Sequence, residues 1–114
     1  MNDYQIVKKL NQGWNGIAYL IKKDNKHYVL KRQKILKKEI KLNLNYMIWR
    51  EINFNKFVNK LPISQKKYFM EMYHYKINKC NYEHKPAYID PDLKKDLIAR
   101  NKSEFCMDIF LEYK

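Results

Sequence analysis

The sequence predicts an α+β domain of five strands and one long helix, and three observations carry that prediction. Gly13 and Gly16, followed by the pair Asp24-Asn25, divide residues 4–33 into three short runs that favour extended structure. The segment 44–60 is helix-compatible and is closed by Pro62, which pushes Leu61 out of helical geometry. Two more extended, aromatic-rich runs, 68–77 and 105–112, supply the fourth and fifth strands.

The first strand, near 4–11, alternates loosely around Tyr4, Ile6 and Leu10, with lysines at 8 and 9. The glycines that follow allow a tight turn and leave the backbone amides uncovered, so the turn can cradle a polyphosphate. Such glycine pairs mark ordinary hairpins as well. In the second strand, 17–23, Ala18 and Leu20 face one way and Ile17, Tyr19 and Ile21 the other. Asp24 and Asn25 both tolerate left-handed backbone and make a reverse turn into the third strand, 26–33. There Val29 and Lys31 lie two apart and share a face.

Residues 34–43 are basic and helix-compatible without a clear placement. The helix 44–60 takes Asn43 or Asn45 as its N-cap. Met47, Glu51, Phe54 and Val58 fall at i, i+4, i+7 and i+11, one stripe with an acid in its middle. A carboxylate turned inward needs a cation or donors to offset its desolvation, and Glu51 is therefore the informative residue of this helix. Residues 78–104 are polar and turn-rich, and PDLKKDLIAR within them reads as a short helix with Pro91 in its first turn.

At 114 residues the chain is one domain, 46% hydrophobic and 15% aromatic, enough for a single modest core. No apolar run approaches a membrane span, and the opening MNDYQIVKK has no signal-peptide core. Cys80 and Cys106 are accordingly expected as reduced thiols of an intracellular protein, cytoplasmic or nuclear. The net charge of +12 is lopsided: residues 1–67 carry sixteen Lys/Arg against four Asp/Glu, residues 68–114 eight against eight. Nucleic acid, nucleotide phosphates and an acidic protein are all fitting partners, while a merely solvated lysine-rich surface explains the same count. Cys80, His84 and His74 suggest metal ligands only faintly, with no second pair to complete a site.

The order of these parts resembles the N-terminal lobe of the protein kinase superfamily, and the resemblance covers nearly the whole chain. The family's glycine-rich loop, L-G-x-G-x-[FY]-G-x-V-Y, is matched by Leu10-Asn11-Gln12-Gly13-Trp14-Asn15-Gly16-Ile17-Ala18-Tyr19. The second and third glycines are kept; Asn11, Asn15 and Ala18 replace a glycine, an aromatic and a valine. Tyr28-Val29-Leu30-Lys31 corresponds to the V-A-I-K strand, and Glu51, twenty residues beyond Lys31, to the helix glutamate. Leu111-Glu112-Tyr113 resembles the gatekeeper and first hinge residues.

The resemblance implies a kinase-like N-lobe of Ser/Thr type: a five-stranded antiparallel sheet, one long helix, and 78–104 as an insertion between strands 4 and 5. It implies ATP as ligand, with Gly13 and Gly16 at the phosphates, Lys31 on the α- and β-phosphates and Glu51 holding Lys31. Ala18 and Val29 would sandwich the adenine, with Leu111, Glu112 and Tyr113 at its edge; Asn15 and Ala18 imply weak binding. The 114 residues contain no His-Arg-Asp and no Asp-Phe-Gly run, so residues 1–114 read as an N-terminal lobe without its C-terminal lobe. Such a chain is not catalytic alone and binds Mg²⁺ only if a C-terminal lobe supplies ligands. A non-catalytic kinase-like binding module and a basic nucleic-acid-associated protein stand as alternatives. With Ala18, Val29, Leu111 and part of the 44–60 helix facing water, self-association or capture of a C-lobe through this underside is expected, unless 78–104 folds back to cover it.

Overall fold

A computed structural model of the chain describes residues 3–13, 16–41, 46–83, 85 and 88–113. Trp14, Asn15, Asn43, Asn45 and His84, each named above, lie outside them. The fold is α+β, one five-stranded antiparallel sheet with a few short helices. The strands are β1 (Gln5–Gly13), β2 (Gly16–Lys23), β3 (Lys26–Ile35), β4 (Met72–Lys79) and β5 (Phe105–Glu112), in spatial order β1-β2-β3-β5-β4.

Local chemistry explains most of the element ends. Asp24 and Asn25 both take positive φ, 52° and 64°, the pattern whose twist suits a two-residue hairpin. Asn11 has no such strain: it sits in β1 opposite Ala18, beside an irregularity in the register. Helix α1 (Met47–Asn59) begins with Trp49 and Arg50 donating to the Tyr46 carbonyl and stops before Pro62. A single-turn helix α2 (Ile63–Lys66) follows, and Tyr68 and Phe69 donate back to it, so the chain stays turned until Glu71. For this reason β4 starts at Met72 and not at Tyr68. Within the β4–β5 connection, expected above as an insertion, a 3-10 turn at Pro91–Leu93 opens into α3 (Lys94–Lys102), as the proline predicts.

The two faces of the sheet are covered differently. On one, Ile48, Trp49 and Ile52 of α1 pack with Ile35, Met72, Met107 and Ile109 into the larger core. On the other, Ile21, Leu30 and Phe110 form a smaller core roofed in part by Tyr4, Tyr19 and Tyr28. The insertion lies against the Arg32–Lys34 end of this second face. Tyr82 Oη donates to the Arg32 carbonyl at 3.3 Å, and Gln12 Nε2 donates to the Lys85 carbonyl at 2.9 Å.

Two expectations are corrected here. The stripe Met47–Glu51–Phe54–Val58 is not the buried face of α1: Met47 and Phe54 are 60% and 54% exposed, while Ile48, Trp49, Ile52 and Val58 are buried. The helix is rotated so that the Trp49 indole reaches the Glu39 carbonyl at 2.7 Å, leaving Glu51 on the flank. Nor are the cysteines reduced thiols, because Cys80 and Cys106 are joined as a disulfide with Cα atoms 5.7 Å apart. Antiparallel pairing of β4 with β5 brings them together diagonally, a proximity that a separation of 26 residues does not reveal.

Candidate functional site

Registers across the sheet build the site on the α1 side. Ala18 of β2, Lys31 of β3, Ile109 of β5 and Tyr75 of β4 fall opposite one another in one row. Leu20, Val29, Leu111 and Met72 make the next. Ala18, Val29, Lys31 and Leu111 are thus brought to one surface, each half-buried. Glu51 on α1 points to that surface: its Oε1 accepts from Lys31 Nζ at 2.5 Å.

Exposure separates this ion pair from its neighbour in sequence. The Lys31 and Glu51 side chains are 37% and 27% exposed, so a ligand can reach the pair, and such a pair contributes about 1 kcal/mol or less to stability. Arg32 points to the opposite face and grips Asp108 with two bonds of 2.8 and 3.1 Å, where Asp108 is fully buried. The hydrogen-bonded Asp108 carboxylate outweighs burial and holds the guanidinium pKa above its ordinary value. Adjacent residues of one strand therefore carry a reachable cation and a structural one.

At the glycine turn, Gly13 and Gly16 are directly opposed across β1 and β2. A Cβ on Gly16 would run into the Arg32 carbonyl oxygen, so close approach to the β3 backbone itself demands glycine there. At the other end, Leu111 and Glu112 still belong to β5, and Tyr113 follows, about half exposed. The Glu112 N–H donates to the Glu71 carbonyl at 2.7 Å and is taken by that bond. The structure thus assembles Ala18, Val29, Lys31, Glu51 and Leu111, and leaves Glu112 engaged with the turn before β4.

Three features escaped sequence reasoning. Asp108 stands in the apolar run FCMDIFLE, and the argument that singled out Glu51 applies to it equally. Glu39, 4% exposed, is bound by both terminal guanidinium nitrogens of Arg100 at 2.8 and 3.2 Å, tying α3 to the turn after β3. Burial opposes the charge of Arg100, and its bonds to Glu39 and Asp96 prevail, keeping its pKa raised. Tyr82, pushed up to about 12 by burial, closes over the Arg32 backbone. No sequence signal points to that contact.

Among the described residues no cluster of three His, Cys, Asp or Glu is placed to hold a metal, and Cys80 is bonded to Cys106. Nor is any described helix long and apolar enough to cross a membrane. No family model matches the chain, and no curated protein matches it in sequence.

Proposed function

We propose that the chain is a kinase-like, ATP-binding N-lobe of Ser/Thr type, with Lys31 as the phosphate-binding cation and Glu51 as its positioning partner. The observation that carries the reading is the Lys31–Glu51 pair at 2.5 Å, joining β3 to α1 beside the small residue Ala18. The sheet order β1-β2-β3-β5-β4, with a helix between β3 and β4, supports the same reading.

The residues fit the phosphate end of ATP better than its base. Lys31 is partly exposed and held in place by Glu51, which suits a point charge on a polyphosphate. Gly13 and Gly16 close the turn above, and Ala18 and Val29 offer the adenine a small apolar roof with Leu111 beside it. Glu112 has already given its N–H to Glu71, leaving Tyr113 for the base edge. Weak binding follows. ATP would supply a transferable phosphoryl group, but the 114 residues hold no His-Arg-Asp or Asp-Phe-Gly run to orient an acceptor or retain Mg²⁺. A second reading is a non-catalytic kinase-like binding module. In either, turnover requires groups from a C-terminal lobe.

Titration calorimetry with ATP tests the site. Lys31→Met should weaken binding by about tenfold or more, the scale of a lost charge-assisted hydrogen bond, while Lys56→Met leaves it unchanged. Equal losses would reduce the binding to general charge attraction and remove the proposal. ATP binding without hydrolysis, restored to turnover by an added C-lobe, separates a lobe from a pure binding module.

A further inference from the structure

The sheet face opposite Lys31 carries a second pattern of a different kind. The insertion covers the Arg32–Lys34 end of this face, where Lys34 Nζ lies 5.4 Å from the Tyr82 ring. The Lys26–Leu30 end is lined with rings. Tyr28 on β3 and Tyr73 on β4 meet edge to face, centroids 5.4 Å apart, and His74 stacks on Phe110 at 5.8 Å. Tyr4 sits against the same Phe110 at 5.7 Å. Phe110 is fully buried and acts as the base of the cluster, whereas Tyr73 is 41% exposed and His74 is exposed.

Cations are interleaved with these rings. Lys26 Nζ lies 5.5 Å from the Tyr28 centroid and 5.3 Å from that of Tyr73, and Lys76 Nζ lies 5.7 Å from that of Phe110. The acids nearby are mostly engaged: Asp108 by Arg32, and Glu112 by the Glu71 N–H. Asp24 stands at the rim, in the β2–β3 turn. Partial desolvation where the ring rests on Phe110, with Lys76 adding to it, lowers the His74 pKa.

We infer that this face binds single-stranded nucleic acid, bases stacking on Tyr73, His74 and Tyr28 and phosphates meeting Lys26 and Lys76. Flat rings alternating with ammonium groups on an antiparallel sheet match the two repeating parts of a strand, a π-face and an anion. A duplex hides its base faces and offers only the phosphates. The net charge of +12 suits a polyanion and opposes a second copy of the chain. The site is independent of ATP, since Lys31 lies on the other side of the sheet.

Fluorescence anisotropy with labelled 15-mers of oligo(U), oligo(dT) and a duplex of the same length, over a salt series, is the test. Both single strands should bind more tightly than the duplex, and a preference between them identifies RNA or DNA as the source. Tyr73→Ala should weaken single-strand binding about tenfold, the loss of one stacked base, and Tyr73→Phe less than about twofold. Lys26→Ala should lower the salt slope by about one phosphate contact, whereas Lys60→Ala, just after α1, leaves binding unchanged. Should Tyr73→Ala melt early, His74→Ala and Lys26→Ala, at exposed positions, carry the same expectation. Equal affinity for duplex and single strand, or equal losses on removing Tyr73 and Lys60, overturns the inference.

Discussion

Lys31 and Arg32 are neighbours in β3 that face opposite sides of the sheet, and their partners differ in burial. Glu51→Gln removes a half-exposed pair and should lower stability by about 1 kcal/mol or less in urea unfolding. Asp108→Ala leaves Arg32 without its buried partner and should cost about 3–5 kcal/mol in the same measurement. Similar losses for the two variants would contradict the burial argument. His74 gives a pH signature. Its pKa is lowered from 6.5 in the fold, so the unfolded chain takes up the proton first. Stability is then intact above about 6.5 and declines as pH falls through that value. Thermal melts from pH 7.5 to 5.5 should show that decline, and His74→Phe should make it shallower. An unchanged slope would exclude His74 as a source.

Among the elements, the insertion is bound to the sheet at several points and is no loose excursion. Arg100 holds Glu39, Ser103 Oγ donates to the Ile35 carbonyl at 2.5 Å, and the disulfide closes its base. Cross-linking residues 26 apart should contribute about 3 kcal/mol through the unfolded chain. Melting with and without dithiothreitol checks this; identical curves would show that the link adds nothing. Helix α1 teaches a different lesson. Several stripes are nearly as apolar as the buried one, since Met47, Phe54 and Phe57 are exposed beside buried Ile48 and Ile52. Periodicity identified a helix, but its rotation was decided by Trp49 meeting Glu39 across ten residues.

For the whole molecule, the open apolar surface lies mainly on the helix part of the expected patch and extends into α2. Ala18, Val29 and Leu111 are half-buried, while Met47, Phe54, Phe57, Ile63 and Tyr68 are exposed around α1 and α2. The described residues of the insertion bond to the opposite, Arg32–Lys34 face. Charge repulsion at +12 should keep copies apart at low salt, and screening should let the apolar cluster associate. Light scattering should therefore give a mass that rises with ionic strength, and Phe57→Ser should suppress the rise. A constant mass in the parent chain would show the cluster to be too small to associate. The disulfide contradicts the reduced thiols that were inferred from the lack of a signal-peptide core.

The sequence by itself determined the five strands, the hairpin at Asp24-Asn25, the end of α1 at Pro62, the short helix after Pro91 and the side of the sheet that Lys31 occupies. These follow from local rules: backbone freedom at turns, the geometry of proline, and the two-residue alternation of a strand. Tertiary structure alone decided the rotation of α1, the pairings Arg32–Asp108 and Arg100–Glu39, the Cys80–Cys106 link and the aromatic face around Phe110. Each joins residues distant in the chain through the register of β3, β4 and β5, and a register is set by the packing of both faces at once. Charge and hydrophobicity read along the chain name the groups that need partners, and only the closed sheet supplies them.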